Sequence, residues 1–392
     1  MPTACPAAIS AGSSASDWHG AMDEALRSAP AIPTDEGFPR GWWKHLGQRG
    51  VLGPGFPVEG GPPAADAMLV SALAERVTYA TGRLGLGTAW MVQQLLARYV
   101  LGPLLRNRPQ SAWIGGLLAA MARGESLLAL AISEPGAGAH PKLLQTQAIR
   151  DEDGAGWILN GRKAFVSNGP AADAIIVLAV TDMREGRKRF DAFLLDAHTP
   201  GLTRQPNPRV RGLAPLGHCD LLLEACRVPE SRRIGPPGQA FETIAKPVRA
   251  VEDALLPGPL LGAMRQALEW GGQTLAARGA AEGDAVREMG ALRLEWEALH
   301  AVRDALAQAL EAQEGDVPGD EALAFAAVGA RRLFERWQAA CQAFLEAHHV
   351  LEPDASPPDF IRDLRLVLGI ARSVSQSRQL QKGQQMLQSF SA

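Results

Sequence analysis

Four stretches of the chain combine residue types that could do chemistry. Ser133-Glu-Pro-Gly-Ala-Gly-Ala-His140 is a small, polar run following an apolar one. Gly136 and Gly138, lacking Cβ, let backbone N–H groups converge on an anion, although the same spacing also describes an ordinary turn. Asn160-Gly161 is a hairpin-turn dipeptide, and Ser167-Asn168-Gly169 could end that hairpin. Glu252 and Asp253 stand side by side in the third stretch. A carboxylate there is a helix-start residue favoured by the macrodipole if exposed, or a general base of raised pKa if apolar surroundings strip its water. His348-His349, the fourth, has no carboxylate or Cys companion at ligand spacing, so surface or core histidines are expected rather than a metal site.

The elements that must position these residues fall into regions of different texture. Residues 1–16, rich in Ala, Ser and Pro, read as a disordered lead without the basic start of a signal peptide. Residues 17–125 carry helical periodicity, clearest over Ala65–Thr81 and Thr88–Leu105, with a Gly/Pro turn at Gly50–Gly61. Between 126 and 237 the period changes. Trp157–Gly169 reads as two short strands about Asn160-Gly161, and Ile175–Val180, Phe190–Leu195 and Leu221–Pro229 are further strands of a small β-barrel or sandwich. Residues 238–392 return to helix, with bundle members over Ala254–Leu275, Ala285–Glu314, Asp320–His349 and Asp359–Gln388, the later ones divided by Pro318 and Pro353–Pro358. The fold class is therefore α+β, mostly α.

Composition removes several functions. Lys+Arg 39 against Asp+Glu 42 gives a net charge of −3, too balanced for a nucleic-acid protein or a polybasic membrane binder. No apolar stretch approaches the roughly 20 residues of a membrane span. Cys5, Cys219, Cys226 and Cys341 form no CxxC pair and no regular framework, against a zinc site or disulfide scaffold. A reducing cytoplasm is the expected setting.

The order of helices, β-domain and helices, with two motifs inside it, resembles the FAD-dependent acyl-CoA dehydrogenase family. Leu130-Ala-Ile-Ser-Glu-Pro-Gly-Ala-Gly-Ala-His140 is similar to that family's first flavin segment, and Leu159-Asn-Gly-Arg-Lys-Ala-Phe-Val-Ser-Asn-Gly169 to its second. Leu52–Gly61, Gly124-Glu125 and Cys226-Arg-Val-Pro229 support them, and the resemblance runs from about Phe38 to Arg365. It implies an N-terminal helical domain, a middle β-barrel and a C-terminal four-helix bundle. FAD would be the cofactor, an acyl-CoA thioester the substrate, α,β-dehydrogenation the reaction and an electron-transferring flavoprotein the acceptor, in a homodimer or homotetramer. By the same resemblance Leu130 lies in the first flavin segment, and backbone groups at Ile132 and Ser133 with the Ser133 hydroxyl meet the flavin's polar edge. Phe165 covers the ring where the family usually carries Trp, Ser167 sits near N5, and the Gly136–Gly138 loop approaches the diphosphate. The loop ends Gly138-Ala139-His140 where the family has Gly-Ser-Asp, so Ala139 supplies no hydroxyl to a phosphate.

Two family positions for the catalytic carboxylate compete. Arg362-Asp363-Leu-Arg365 matches the opening of the usual run, and counting forward puts Ala371 where the base belongs. Alanine removes no proton. A minority of the family carries its Glu on the first long helix of the C-terminal bundle; counting back from Gly262 gives Glu252, whereas counting from Gly258-Pro259 gives Val251. By the same resemblance Arg278 alone is kept from a C-terminal FAD-contacting segment, and the glycine-rich segment that holds the neighbouring subunit's FAD is replaced around Ala347–Val350. Two alternatives follow: a base-lacking subunit of a heteromeric dehydrogenase completed by a paralogue, or a relative with other flavin chemistry, such as a desulfinase or a monooxygenase.

Overall fold

In the computed structural model the residues described are 13–33, 37–57, 65–107, 112–207, 212–313, 321–352, 356–370 and 372–390. Most of the expected disordered lead, Cys5, Val58–Gly61 of the Gly/Pro turn, Pro318, part of Pro353–Pro358 and Ala371 lie outside them.

Six helices precede the sheet: α1 (Ala15–Arg27), α2 (Arg40–Gln48), α3 (Ala67–Thr81), α4 (Leu84–Leu95), α5 (Gly102–Asn107) and α6 (Ala112–Ala122). Helix α3 starts where the Asp66 carboxylate accepts the Leu69 N–H at 2.8 Å, and stops at Gly82, whose φ of 64° suits glycine. Helix α4 is buried on nearly every side. A wider, π-helical turn, Leu96–Leu101, joins it to α5, ahead of Pro103, which has no N–H to return to the preceding turn.

The middle of the chain forms one connected mixed sheet of β1 (Leu128–Ala131), β2 (Gln147–Arg150), β3 (Gly156–Ser167), β4 (Ala174–Arg184), β5 (Arg187–Asp196), β6 (Leu202–Pro206), β7 (His218–Pro229) and β8 (Arg233–Ile234). Its order is β6-β7-β3-β2-β4-β5-β8, with β1 parallel to β4. Alternation along the strands sends residues to two cores. Trp157, Leu159, Ile175, Val177, Phe193, Leu221 and Val228 fill one core within the β region, and Ile176, Leu178 and Leu194 pack into the helical core.

Asn160-Gly161 is no hairpin. It lies inside β3, an unbroken 12-residue strand, because β2 and β7 pair with β3 on either side and keep the chain extended. The Asn160 side chain accepts the Ala225 N–H at 2.8 Å, and a bulge falls between Leu159 and Gly161. Glycine is required at 161 by close approach: a Cβ there would lie 2.7 Å from the Thr146 Cα.

After the sheet come α7 (Lys246–Leu255), α8 (Pro257–Ala277), α9 (Gly283–Glu311), α10 (Glu321–Ala347), α11 (Asp359–Gly369) and α12 (Arg372–Ser389). Helices α8, α9, α10 and α11 each pack on the next, and α11 returns to α8, which makes the four-helix arrangement. Trp296 Nε1 donates to the Leu261 carbonyl at 3.0 Å and Trp337 Nε1 to that of Leu292 at 2.9 Å, tying α9 to α8 and α10 to α9. Two of the expected helices are divided. Ala254–Leu275 splits at Leu256, because Pro257 begins a new helix without an N–H to donate. Asp359–Gln388 is interrupted by extended backbone at Ile370 (φ −63°, ψ 138°).

Helix α8 is fixed against α3 by two glycines one turn apart. A Cβ on Gly258 would stand 2.1 Å from the Ser71 carbonyl oxygen, and one on Gly262 2.5 Å from that of Glu75. Because the obstacles are backbone atoms of α3, Gly262→Ala is expected to destabilise the protein by about 1–3 kcal/mol or more, measured by denaturant unfolding. Gly279→Ala, where no atom stands within 4 Å but φ is 65°, controls for backbone strain without the steric clash.

Candidate functional site

Helix α4 reaches across to β1 and sets the first candidate loop. Gln93, itself buried, donates to the Leu128 carbonyl at 2.9 Å and accepts the Leu128 N–H at 3.0 Å. With β4 on its other edge, β1 is held from both sides, and Leu130 pairs in register with Ile176. Past Ala131 the chain leaves the ladder, and β3 takes over its backbone groups. Lys163 Nζ donates to the Ile132 carbonyl at 3.0 Å and the Ala164 N–H to the Ser133 carbonyl at 2.8 Å. The Ser133 hydroxyl has no hydrogen-bond partner among the described residues.

Glu134 and Lys163 form a buried ion pair that joins the two sequence motifs. Their separation is 2.8 Å and their side chains are 6% and 0% exposed. The other lone pairs of Glu134 accept the N–H groups of Gln145 at 2.6 Å and Thr146 at 2.9 Å. Burial works to raise the Glu134 carboxyl, but Lys163 and the amide donors prevail and hold it below the usual carboxylate range. Burial pushes the Lys163 ammonium down to about 8, against the pull of Glu134.

Gly136 (φ 75°) and Gly138 (φ 54°) turn the loop, which closes by bonds between Glu134 N–H and Gly138 carbonyl (2.9 Å) and between Gly138 N–H and Glu134 carbonyl (3.0 Å). No atom stands within 4 Å of either missing Cβ, so both glycines serve backbone conformation, and the loop faces open space. Ala139 is exposed beside them. A cavity of about 630 Å³ opens beneath, lined by Gly136, Ala137, Leu143, Gln145, Arg162 and Leu222.

Farther along β3 a second register shift, between Lys163 and Val166, turns Phe165 outward. Its φ is 59°, and 40% of its surface is exposed, unusual for a large aromatic residue. Ser167 Oγ lies 3.1 Å from His218 Nε2 on β7. Ser133, just past β1, and Phe165 and Ser167, at the end of β3, thus offer hydroxyls and an open aromatic ring.

Glu252 is on α7, which packs against α9, α10 and the π-helical turn. Val251, the alternative by one residue, is wholly buried in the helical core. Arg249 commits its guanidinium to Asp253 at 2.8 Å and stands 4.0 Å from Glu252, whose carboxyl has no hydrogen-bond donor among the described residues. The Glu252 side chain keeps 39% of its surface open. Burial raises its pKa, with Arg249 and Arg331 opposing. Arg331 also donates to the carbonyls of Leu368 at 3.0 Å and Ile370, at the end of α11. The charge of Arg331 thus bears on Glu252 while its guanidinium holds the end of α11. No hydrogen bond or ion pair among the described residues joins Glu252 to Ser133, Phe165 or Ser167.

Arg278 caps α8 and is engaged within the chain: it donates to the His349 carbonyl at 2.5 Å and stands 3.8 Å from Glu352. His348 pairs with Glu288 at 3.0 Å, and no cluster of three metal-ligating side chains occurs among the described residues. Asp363, 2% exposed, lies against the turn at Gly212, where a Cβ would stand 2.8 Å from its Oδ1. The Arg-Asp pair thus ties α11 to the β6–β7 connection. Glu134, Lys163 and His218 were not singled out by sequence reasoning. The first two carried a signal, being charged residues inside apolar strand-like runs; His218 carried none.

Comparison with known proteins finds relatives for these features. Residues 129–226 match the acyl-CoA dehydrogenase middle domain. The short-chain specific acyl-CoA dehydrogenase of Rattus norvegicus mitochondria is 28% identical over 225 residues, 57% of this chain and 52% of that protein. The caffeyl-CoA reductase-Etf complex subunit CarC of Acetobacterium woodii is 32% identical over 145 residues, 37% of this chain and 38% of that one. In sequence, then, the chain spans about half the length of the curated relatives it matches. In structure the likeness is longer: butyryl-CoA dehydrogenase from Megasphaera elsdenii superposes with a TM-score of 0.74 at 20% identity, over 95% of this chain and 98% of that one. Residues 129–226 thus match the middle domain of the acyl-CoA dehydrogenases, and the helices packed before and after it complete the fold of those enzymes.

Proposed function

We propose that the chain is an FAD-dependent oxidoreductase that removes hydrogen across the α,β bond of an acyl-CoA thioester, with Glu252 as the base. The observation that carries this reading is the setting of Glu252: a half-exposed carboxyl on α7 without a hydrogen-bond donor among the described residues, its pKa raised by burial against the charges of Arg249 and Arg331. Such a group takes a proton at neutral pH more readily than a solvated carboxylate does.

The residues on β1 and β3 fit a flavin. Phe165 offers an exposed ring, the Ser133 hydroxyl has no partner among the described residues, and the Gly136–Gly138 loop faces open space. Ile132, Ser133, Gly138, Phe165 and Ser167 would hold the cofactor, with Leu130 and Ala139 in the same segment. When bound, FAD supplies a two-electron acceptor. The chain's own tasks are then to seat the thioester, exclude water and receive the α proton on a Glu252 carboxylate oxygen. Arg278, occupied by His349, contributes less than the family pattern implies.

Two wider assignments rest on family likeness, an electron-transferring flavoprotein as acceptor and a homodimer or homotetramer; the cytoplasmic setting rests on the unpatterned cysteines alone. Leu380, Met386, Leu387 and Phe390 are exposed on and just beyond α12 and suit an assembly surface. No helix among the described residues is long and apolar enough to cross a membrane. The engaged Arg278 favours one alternative, a subunit whose flavin site is completed by a paralogue. Anaerobic mixing with saturated acyl-CoAs of graded length tests the main reading. Bleaching of the flavin band by at least one supports it, and no bleaching of a fully flavinated protein by any of them overturns it.

A further inference from the structure

We infer that His218 sets the direction of the Ser167 hydroxyl: its Nε2–H donates to Ser167 Oγ, leaving Ser167 O–H to donate to an acceptor atom of a ligand on the Phe165 face. The argument starts from the other ring nitrogen. His218 Nδ1 is buried and has no hydrogen-bond partner among the described residues, while Nε2 lies 3.1 Å from Ser167 Oγ. A neutral imidazole carries one N–H, and which nitrogen carries it follows from the bonds each can make. Burial pushes the His218 pKa down to about 4, so the ring is neutral at neutral pH.

Placing the hydrogen on Nδ1 would bury an N–H with nothing to accept it, the rarer and costlier kind of orphan. Placing it on Nε2 buries only a lone pair and gives Ser167 a donor. Ser167 Oγ has no second hydrogen bond among the described residues, so its own hydrogen turns away from His218. Ser167 ends β3 two residues beyond the exposed Phe165 ring, which places that hydrogen beside a flat aromatic surface. A planar heteroaromatic ligand with a ring-nitrogen or carbonyl acceptor at its edge matches this pairing. His218 is accordingly a positioning residue. The inference deepens the flavin reading and rests on it for the ligand, though not for the tautomer.

Two measurements test it. Long-range ¹H–¹⁵N correlation on the full chain labelled in histidine reads the tautomer without any ligand; hydrogen on Nε2 of His218 is expected, and hydrogen on Nδ1 overturns the inference. The second compares FAD affinity of the wild type, His218→Leu and His218→Gln, since the Gln amide nitrogen can replace Nε2–H. His218→Leu is expected to weaken binding about tenfold, the scale of one lost hydrogen bond, and His218→Gln to restore most of it. Ser167→Ala added to His218→Leu should cost nothing more. Equal losses for Leu and Gln, or additive losses for the pair, contradict the inference. A wild type that binds no FAD defeats the flavin reading instead, and the tautomer alone then decides.

Discussion

Glu252→Gln is expected to slow reduction of the bound flavin by a saturated acyl-CoA about 10²–10⁴-fold, the range a positioned general base supplies, with flavin content unchanged. Glutamine keeps the shape of the side chain and removes only its capacity to take a proton. Because Arg249 is committed to Asp253, the change leaves no tightly paired cation without its partner. The pH profile carries the sign. Only the ionised carboxylate is a base, and burial raises its pKa, so the wild-type rate should climb with pH through a midpoint above the usual carboxylate range. Stopped-flow reduction measures both. A Glu252→Gln protein that bleaches as fast as the wild type removes Glu252 from the mechanism and directs attention to a carboxylate from another chain.

Lys163→Met is expected to be the most destabilising single change in the β region, at about 3–5 kcal/mol, because it leaves the Glu134 carboxylate buried beside amide donors without its cation. The Glu134→Gln/Lys163→Met double variant should recover much of that loss, since two neutral groups need no counter-charge. Acid unfolding gives an independent check. Glu134 has a depressed folded-state pKa, so its contribution is present above the unfolded value and is lost as pH falls below the ordinary carboxylate range toward the folded one. Glu134→Gln should flatten that part of the stability–pH curve. Failure of the double variant to recover stability would show that the pair contributes more than mutual neutralisation. Loss of flavin by a folded single variant would show that the pair also holds the Ser133–Gly138 loop in place.

Long amphipathic elements were legible because periodicity is local: α3, α9 and α10 fall within a few residues of their expected spans. What escaped depended on neighbours. Asn160-Gly161 has turn chemistry, yet pairing by β2 and β7 overrides it, and the glycine answers to Thr146. The division between α7 and α8 was written in Pro257, but the flanking leucines masked it. Among candidate site residues, family resemblance proposed Ser133, Phe165 and Ser167, and counting from Gly262 gave Glu252 where counting from Gly258-Pro259 gave Val251, which is buried. The Glu134–Lys163 pair was hidden in plain view. Each residue carried a signal as a charge among apolar neighbours, but their partnership exists only once the end of β1 and β3 are side by side. His218 could not have been found from sequence, since two register shifts in β3 decide which β7 residue faces Ser167.

The visible absorption spectrum of the protein purified alone tests the central claim most directly. An oxidised flavin spectrum near one FAD per chain is predicted, because the Ser133–Gly138 loop, Phe165 and Ser167 are all supplied by this chain. A folded but colourless protein that takes up no added FAD would contradict the account and would assign the site's completion to a paralogous subunit.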